Sequence, residues 1–338
     1  MKRVTINDIA KELNITAATV SRALSDHPEI SLVTKRIVRD AALRLDYSPN
    51  KVASSLRSGK TNIIGVIIPT AEHIFFGSVI HGISNSASKN GYEVLIYQSN
   101  ESEQFEKKGI DAFLNARVDG ILVSIAKGTN DFSHFLHVKE KKIPIAFFDR
   151  FNDSLGISSV CIDDHRGAFL AAETLIKKGY KRIAYISGPL HIKTFSERVR
   201  GYKDALEHYK IDCDPRLLYP GNISIESGRN AIKEFFKLDE RPDGVCAVED
   251  FTALGALKEL KEMGISVPKE FGVIGFCNDM FSEHISPSLS TVDQQTVVMG
   301  EEAFDLINKL INNNEVNQRV HRKVLEPIII ERESSQKG

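Results

Sequence analysis

The sequence has few cysteines and no long apolar run. Its four cysteines, Cys161, Cys213, Cys246 and Cys277, include no CxxC pair of the kind that holds zinc or cycles as a dithiol. No apolar stretch approaches the roughly 20 residues that span a bilayer, and the first residues lack the apolar core of a secretory signal. These absences predict reduced, mostly buried thiols, no metal site, and a soluble cytoplasmic protein with no membrane partner.

The motifs of several enzyme classes are also missing. Residues 58–61, Ser-Gly-Lys-Thr, end like a phosphate-binding loop, but Ser54 stands where that loop needs its first glycine. No GxGxxG follows the first predicted strand, and neither GxSxG nor HExxH occurs. Asp163 and Asp164 are adjacent, so on a strand they point apart, which favours a helix cap or hydroxyl acceptor over an acid–base pair. The sequence therefore predicts neither an enzyme nor a bound cofactor.

Positive charge is concentrated at the N-terminus. Residues 1–60 contain eleven Lys and Arg against six Asp and Glu, a net charge of +5, although the whole chain has −1. Such an asymmetry favours nucleic-acid binding, because each neutralised phosphate releases counterions. A solvated basic surface is the alternative.

The basic segment has the apolar spacing of three short helices. Thr5 suits an N-cap for the first helix, which ends at Asn14, and Thr16 suits an N-cap for the second. The first apolar stripe, spaced i, i+3, i+4 and i+7, consists of Ile6, Ile9, Ala10 and Leu13. In the second helix the residues expected to face inward are Val20, Ala23 and Leu24, and those expected to remain available are Ala17, Thr19, Ser21 and Arg22. A third pattern completes the small core with Ile30, Thr34, Ile37, Val38, Ala41 and Leu45.

This arrangement predicts a helix-turn-helix unit, whose second helix can enter the DNA major groove. Small residues at its start allow close approach to base edges, and Arg22 can donate a bidentate fork to guanine. A phosphate contact or a solvated side chain is the alternative for Arg22. Thr19 and Ser21 suit phosphate oxygens at least as well as bases.

A second short helix is predicted over residues 50–57. Ser48 suits its N-cap and Pro49 its first helical position. Two turns are marginal alone in water, so a partner can order such a helix, as a switch requires. Leu56 is apolar among polar and basic neighbours; it either packs on the first domain or wedges between base pairs in the minor groove.

VTINDIAKELNITAATVSRALSDHPEIS (4–31) and LDYSPNKVASSLRSGKTNIIGVIIP (45–69) closely resemble the lactose-repressor/galactose-repressor (LacI/GalR) family of bacterial transcriptional regulators. The likeness extends over nearly the whole chain. It implies a ligand-responsive repressor that binds an operator in double-stranded DNA, with Leu56 as the hinge leucine that kinks the operator centre. The positions implied to face DNA are Thr5, Thr16, Ala17, Ala18, Thr19, Ser21, Arg22, Asn50, Val52, Ala53, Leu56 and Arg57. Because Ala17 and Ala18 carry no hydrogen-bonding groups, base specificity should depend more on Arg22.

Beyond residue 60, short apolar runs alternate with helix-length segments. The first series is 63–69, 93–99, 119–124 and 143–149, and the second is 182–189, 243–250 and 271–279. Continuous apolar strands alternating with helices imply parallel sheets covered on both faces. Two series predict two doubly wound lobes, with a ligand cleft at the carboxyl ends of their strands.

The predicted strand ends carry aromatic and polar residues. They are Phe75 and Phe76; Asp149 and Arg150; Asp163 and Asp164; His191, Lys193, Thr194 and Arg198; and Asp250, Cys277, Asn278 and Asp279. Aromatic faces with convergent Asp, Arg and Asn suit a polyhydroxylated ligand. Helix caps and inter-lobe hydrogen bonds are the alternative roles.

The family resemblance implies that Arg198 clamps an effector. The predicted effector contacts are Phe75, Phe76, Arg150, Asp164, Thr194, Arg198, Ile223, Asp250, Cys277 and Asn278. Cys277 stands where many relatives have Asp, and Asn278 or Asp279 is the candidate replacement. Ile192 replaces the arginine of a purine-binding relative, which weighs against a purine. A sugar is favoured, and Lys193 and His191 leave a sugar phosphate open.

The predicted fold class is a small all-α helix-turn-helix head followed by an α/β region of two doubly wound parallel-sheet lobes, which by resemblance are of periplasmic-binding-protein type I. The predicted domains are a DNA-binding domain at 1–48, a hinge helix and linker at 49–60, and an effector-binding and dimerisation domain at 61–338. Lobe 1 is expected at about 61–161 and 292–324, and lobe 2 at about 162–291 and 325–338.

We expect a homodimer at the nucleoid, since one helix-turn-helix reads only half of a palindromic operator. The effector would change the lobe angle and thereby the order of the hinge helices. The family includes both induction and corepression, and a corepressor protein is a further partner it admits. A solute-binding protein of a sugar transporter is the alternative, but it would need an export signal and has no use for a basic head. A carbohydrate-active enzyme would need an acid–base constellation, which the sequence does not show.

Overall fold

The computed structural model describes residues 4–47, 59–313 and 319–337. The chain forms two compact units, residues 1–61 and residues 62–338. No helix within the described ranges has both the length and the apolarity to cross a bilayer.

The described residues of the first unit form the helices α1 (Ile6–Glu12), α2 (Ala17–Leu24) and α3 (Leu32–Arg44). Their buried core consists of Ile9, Ala10, Val20, Ala23, Val38, Ala41 and Ala42. One predicted core residue is wrong: Ile37 is 50% exposed. The inward stripe of α3 is centred between Val38 and Ala42, so Ile37 lies at its margin.

Twelve strands lie within the described ranges of the second unit. In chain order they are β1 (Ile63–Ile68), β2 (Glu93–Gln98), β3 (Gly120–Val123), β4 (Ile145–Phe148), β5 (Ser158–Ile162), β6 (Ile183–Ser187), β7 (Leu218–Pro220), β8 (Gly244–Ala247), β9 (Gly272–Ile274), β10 (Thr291–Asp293), β11 (Arg322–Leu325) and β12 (Ile328–Ile330). One parallel sheet has the order β11-β5-β4-β3-β1-β2 and another has the order β7-β6-β8-β9, while β10 and β12 form an antiparallel pair.

Eight α-helices of the described part of this unit cover these sheets. They are α4 (Ile74–Lys89), α5 (Glu103–Ala116), α6 (Ser133–Glu140), α7 (Asp164–Lys177), α8 (Lys193–His208), α9 (Ile225–Phe235), α10 (Asp250–Glu262) and α11 (Thr296–Asn312). In the first lobe, α4 and α11 pack on one face of the six-stranded sheet, and α5 and α6 pack on the other. In the second lobe, α7 and α8 cover one face of the four-stranded sheet, and α9 and α10 cover the other. Burying one large apolar side chain contributes about 1.5–3 kcal/mol. The apolar contacts between the helices and both faces of each sheet therefore stabilise each lobe.

Strand β2 departs from the prediction that every strand is covered on both faces. It lies at the edge of the six-stranded sheet, where Leu95 is 41% exposed and Ile96 is 51% exposed. The central strands β3 and β4 are fully buried.

Candidate functional site

Helix α2 presents the residues predicted to read DNA. The Oγ1 atom of Thr16 accepts a hydrogen bond from the N–H of Thr19 at 3.1 Å, so the helix begins at Ala17. Val20 and Ala23 are fully buried, which fixes the face turned to the core. Ala18 and Arg22 are exposed, while Ala17, Thr19 and Ser21 are half-buried. The start of α2 is therefore accessible and fixed by a side-chain cap.

The guanidinium of Arg22 has only a loose partner at the protein surface. Its Nη1 atom lies 3.6 Å from the carboxylate of Glu29, and the side chain is 57% exposed. An exposed ion pair of this length contributes little, so the guanidinium can exchange Glu29 for an acceptor on a ligand at small cost.

Thr5 has a structural role in the first unit. Its backbone N–H and its hydroxyl both donate to the carboxylate of Asp8, at 2.8 and 2.7 Å. This capping arrangement starts α1, and the DNA contact predicted for Thr5 would have to share the same hydroxyl. The other predicted DNA contacts, Asn50, Val52, Ala53, Leu56 and Arg57, lie outside the described residues.

A cavity of about 490 Å³, counting the part open to solvent, lies where the strands of the two lobes end. Seven of the ten predicted effector contacts line it: Phe75, Phe76, Arg150, Thr194, Arg198, Ile223 and Cys277. Seven further residues also line it: His73, Ile74, Asp149, Phe195, Glu249, Asp279 and Gln294. Rings and charged groups from both lobes therefore share one cavity.

Three predicted contacts do not line this cavity, and each has structural partners instead. Asp164 pairs with a cavity-lining arginine. Asp250 is fully buried and accepts hydrogen bonds from two hydroxyls and a backbone N–H. Asn278 donates to Asp293 at 3.0 Å and accepts from Arg332 at 2.8 Å. These contacts fix the loops behind the cavity wall.

Arg198 is held rigidly on α8 with 3% of its surface exposed. Its Nε atom donates to Asp164 at 2.8 Å, Nη1 to the carbonyl of Val248 at 2.7 Å, and Nη2 to Gln294 at 3.1 Å. The guanidinium carbon lies 3.7 Å from the ring centroid of Phe276. Burial raises the pKa of Asp164 to about 7, while Arg198 opposes the rise. A guanidinium has five N–H donors, so two remain for a ligand.

Arg150 forms the charged part of the first lobe's wall. Its Nη1 atom donates to both carboxylate oxygens of Glu101, at 3.0 and 2.9 Å, and its Nε atom lies 3.8 Å from Asp149. Its guanidinium carbon is 5.8 Å from the ring centroid of Phe76. Burial raises the pKa of Asp149. The charge of Arg150 is therefore balanced within its own lobe.

Two further acids line the wall of the second lobe: Asp279, the candidate replacement for Cys277, and Glu249, which was not a predicted contact. Glu249 is 8% exposed and Asp279 is 5% exposed. Glu249 also caps α10 by accepting from the N–H of Phe251 at 3.0 Å. Burial, and then the nearby Asp250, raises the pKa of Asp279 to about 6, and the same causes raise the pKa of Glu249 well above its usual value. Glu249 lies two residues after the end of the buried strand β8. This position is the feature of the sequence that could have identified Glu249 as a cavity residue.

Cys277 lies between these acids in the cavity wall. Its φ angle is 135°, which is strained for a residue with a side chain. A bond from its N–H to the carbonyl of Val292, at 2.8 Å, holds it there. Burial raises the thiol pKa well above its usual value, so the group stays protonated and inert. Within the described ranges no cluster of His, Cys, Asp and Glu has a geometry that fits a metal ion.

A second cavity, of about 730 Å³ with its solvent-open part again included, contains the two groups proposed for a phosphate. Lys193 is paired with Asp153 of the first lobe, and the Nε2 atom of His191 lies 3.2 Å from the carbonyl of Lys127. Arg150 lines both cavities. Lys193 and His191 therefore line this second cavity instead of the first, and they connect the lobes.

Comparison with known proteins gives consistent results along the chain. Residues 5–50 match the family described as bacterial regulatory proteins, lacI family, and residues 172–335 match a periplasmic binding protein-like domain. The chain is 30% identical over 328 residues to the HTH-type transcriptional repressor PurR of Vibrio atlanticus, covering 97% of each protein. Relatives of this kind are transcription regulators, which are not enzymes.

Two solved structures have the same fold. The Lac repressor dimer bound to operator and the anti-inducer ONPF superposes with a TM-score of 0.88 at 24% identity, covering 99% of each chain. The complex of the transcriptional regulator CelR with cellobiose superposes with a TM-score of 0.73 at 26% identity, covering 98% of this chain and 100% of that one. The chain thus belongs to the lacI family, and it is a DNA-binding transcriptional repressor.

Proposed function

We propose that this repressor binds a palindromic operator as a homodimer and that a small polyhydroxylated effector in the cavity between the lobes controls its affinity. The observation that carries the proposal is the cavity walled by both lobes that contains Arg198, which three hydrogen bonds hold in place. A ligand that touches both walls binds better at one lobe angle than at others. Such differential binding is what shifts a conformational equilibrium.

The lining of the cavity supports a sugar as the effector. Phe75 and Phe76 are in edge-to-face contact with ring centroids 5.0 Å apart, so one apolar ring face is available to stack on a sugar. The free donors of Arg198 and the hydroxyl of Thr194 suit sugar hydroxyls. The CelR complex with cellobiose is a precedent within the same fold.

The inter-lobe pairs provide a means of coupling. The Lys193–Asp153 ion pair and the His191–Lys127 hydrogen bond join the two lobes beside the second cavity. A change in lobe angle must break or rearrange these contacts. We propose that this rearrangement alters the hinge segment, predicted at 49–60, and through it the grip of the paired heads on the operator.

A thermal-shift screen of the full chain tests the proposal. The panel consists of neutral sugars, aminated sugars, sugar phosphates and nucleosides. At 100 times its dissociation constant, the effector should add about 2.7 kcal/mol to the free energy of unfolding. The same compound should then change the dissociation constant for operator DNA. A compound that stabilises the chain through this cavity without changing operator affinity would contradict the coupling.

A further inference from the structure

We infer that the effector carries an ammonium group, as an aminated sugar does, and that Glu249 and Asp279 bind that group. This inference rests on the proposed function, because it assigns the ligand class of the same cavity. The charges on the two walls of the cavity support this assignment.

The two guanidinium groups of the cavity already have acids as hydrogen-bond partners. Arg198 is bonded to Asp164, and Arg150 is bonded to Glu101 by both carboxylate oxygens. An anionic effector would have to compete with these acids for each arginine. A phosphate is therefore disfavoured in this cavity, and Lys193 and His191, which suited one, lie in the neighbouring cavity.

Glu249 and Asp279 lack any such neutralising partner. Burial, and then the nearby Asp250, raises the pKa of both carboxyl groups. In the described part of the chain, no ion pair within 4 Å joins either carboxylate to a cation. Both side chains are more than nine-tenths buried, and both line the cavity. Burying ionised acids without a cation is costly, so a cation brought by a ligand would be favoured at this wall.

Protonation is how the free protein accommodates the two acids. Both pKa values are raised, so the pair retains a proton near neutral pH. An ammonium group brings three N–H donors and a positive charge. On binding, it would donate to both carboxylates, and that proton would pass to solvent.

Other charged groups around the pair leave this assignment intact. Asp250 and Cys277 lie on the same wall, and Asp250 is satisfied by hydrogen bonds. The facing groups are His73, Asp149 and Arg150 of the first lobe and Arg198 of α8. Both arginines are paired with acids, and burial and the nearby cations lower the pKa of His73, which keeps it neutral at neutral pH.

The test uses D-glucosamine, D-galactosamine and D-mannosamine, each beside its neutral parent sugar and the parent's 6-phosphate. At least one aminated sugar should raise the melting temperature of the full chain more than both of its counterparts. For that sugar, Glu249→Gln with Asp279→Asn should weaken binding by about tenfold or more in calorimetry, equivalent to about 1.4 kcal/mol. Glu140→Gln, which removes an acid with 77% of its side chain exposed, is the matched control and should leave binding unchanged.

The amide variants preserve shape and remove buried charge, so the double variant should melt no lower than the parent. Calorimetry at pH 6 in two buffers of different ionisation enthalpy should show proton release. If no aminated sugar exceeds its counterparts, or if the double variant binds the aminated sugar as well as the parent does, the inference is overturned. A neutral or phosphorylated sugar that stabilises the chain and changes operator affinity would overturn it while leaving the proposed function intact.

Discussion

Single side chains decide what the cavity can bind. Arg198 links several segments of the cavity wall through its hydrogen bonds. Its three bonds join Asp164, Val248 and Gln294, which come from separate segments of the chain. A ligand cleft at the carboxyl ends of the strands was the expectation that put Arg198 in the cavity, and Arg198 lines the cavity in the structure. The same expectation could not separate Asp164 from Arg198, because the sequence does not reveal which of two residues faces a ligand and which supports the other.

Arg198→Ala should abolish the effector response. The change removes three hydrogen bonds and leaves Asp164 buried without its partner, so the free energy of unfolding should fall by about 3 kcal/mol. Urea denaturation and calorimetry with the screened effector measure the two effects. Arg200→Ala, on the same helix but 60% exposed, is the control. Normal effector binding by Arg198→Ala would remove this residue from the site.

Arg22→Ala separates base reading from phosphate contact. If Arg22 reads guanine, the variant should lose about 1–3 kcal/mol on the best operator and discriminate less at one base pair. Competition gel shifts against single-base operator variants measure the loss. Arg39→Ala, on α3 with 53% of its side chain exposed, controls for charge. A uniform loss on all sequences would instead assign Arg22 to the phosphate backbone.

At the scale of elements, close packing between helices sets the shape of each lobe. Helices α4 and α11 approach so closely at Gly82 that an added Cβ would lie 2.1 Å from the carbonyl oxygen of Val297. The strands that consist of continuous apolar runs were predictable from the sequence. Strands β5, β7, β10, β11 and β12 were not, because they are short or lie at sheet edges and crossings, where pairing depends on distant parts of the chain.

Gly82→Ala should lower the free energy of unfolding by about 1–3 kcal/mol, because the new methyl group must push two helices apart. Gly77→Ala is a matched control in the same helix. An added Cβ at Gly77 meets nothing within 4 Å, so helix propensity should make that variant more stable by about 0.5–1 kcal/mol. Urea denaturation measures both. Equal effects would contradict the packing described for this helix pair.

Leu56→Ala tests the hinge helix predicted from the sequence alone. Loss of the proposed wedge should weaken operator binding by about tenfold, equivalent to about 1.4 kcal/mol, while effector binding remains normal. A gel-shift titration of variant and parent on the same operator measures the change. Unchanged operator affinity would refute the wedge.

At the scale of the whole molecule, folding buries several acids around the cavity between the two lobes. Burial raises the pKa of Asp164 to about 7 and that of Asp279 to about 6, and the pKa values of Asp149, Glu249 and Asp250 are also raised. The two-lobe architecture was predictable because strand and helix patterns repeat twice. The placement of Glu249 beside Asp279 in the cavity wall was not predictable, because the two residues meet only when two strand ends are brought together.

These shifts predict stability that falls as pH rises. An acid whose pKa is raised in the folded state favours folding most below its unfolded pKa, near 4, and that contribution is lost as pH rises through about 6 to 7. The free energy of unfolding should therefore decrease from pH 5 to pH 8, and less so in Asp279→Asn. Urea denaturation across this range measures the slope. A rise in stability over the same range would contradict the assignment.

The central claim is that paired heads of this repressor read a symmetric operator. The most direct measurement is an unbiased selection from random double-stranded DNA with the full chain, followed by titration of the enriched sequence at several salt concentrations. We predict two half-sites related by two-fold symmetry and a dissociation constant that rises with salt, with a log–log slope of about 0.9 per phosphate contacted. Enrichment of no sequence, or of one without symmetry whose binding ignores salt, would contradict the account.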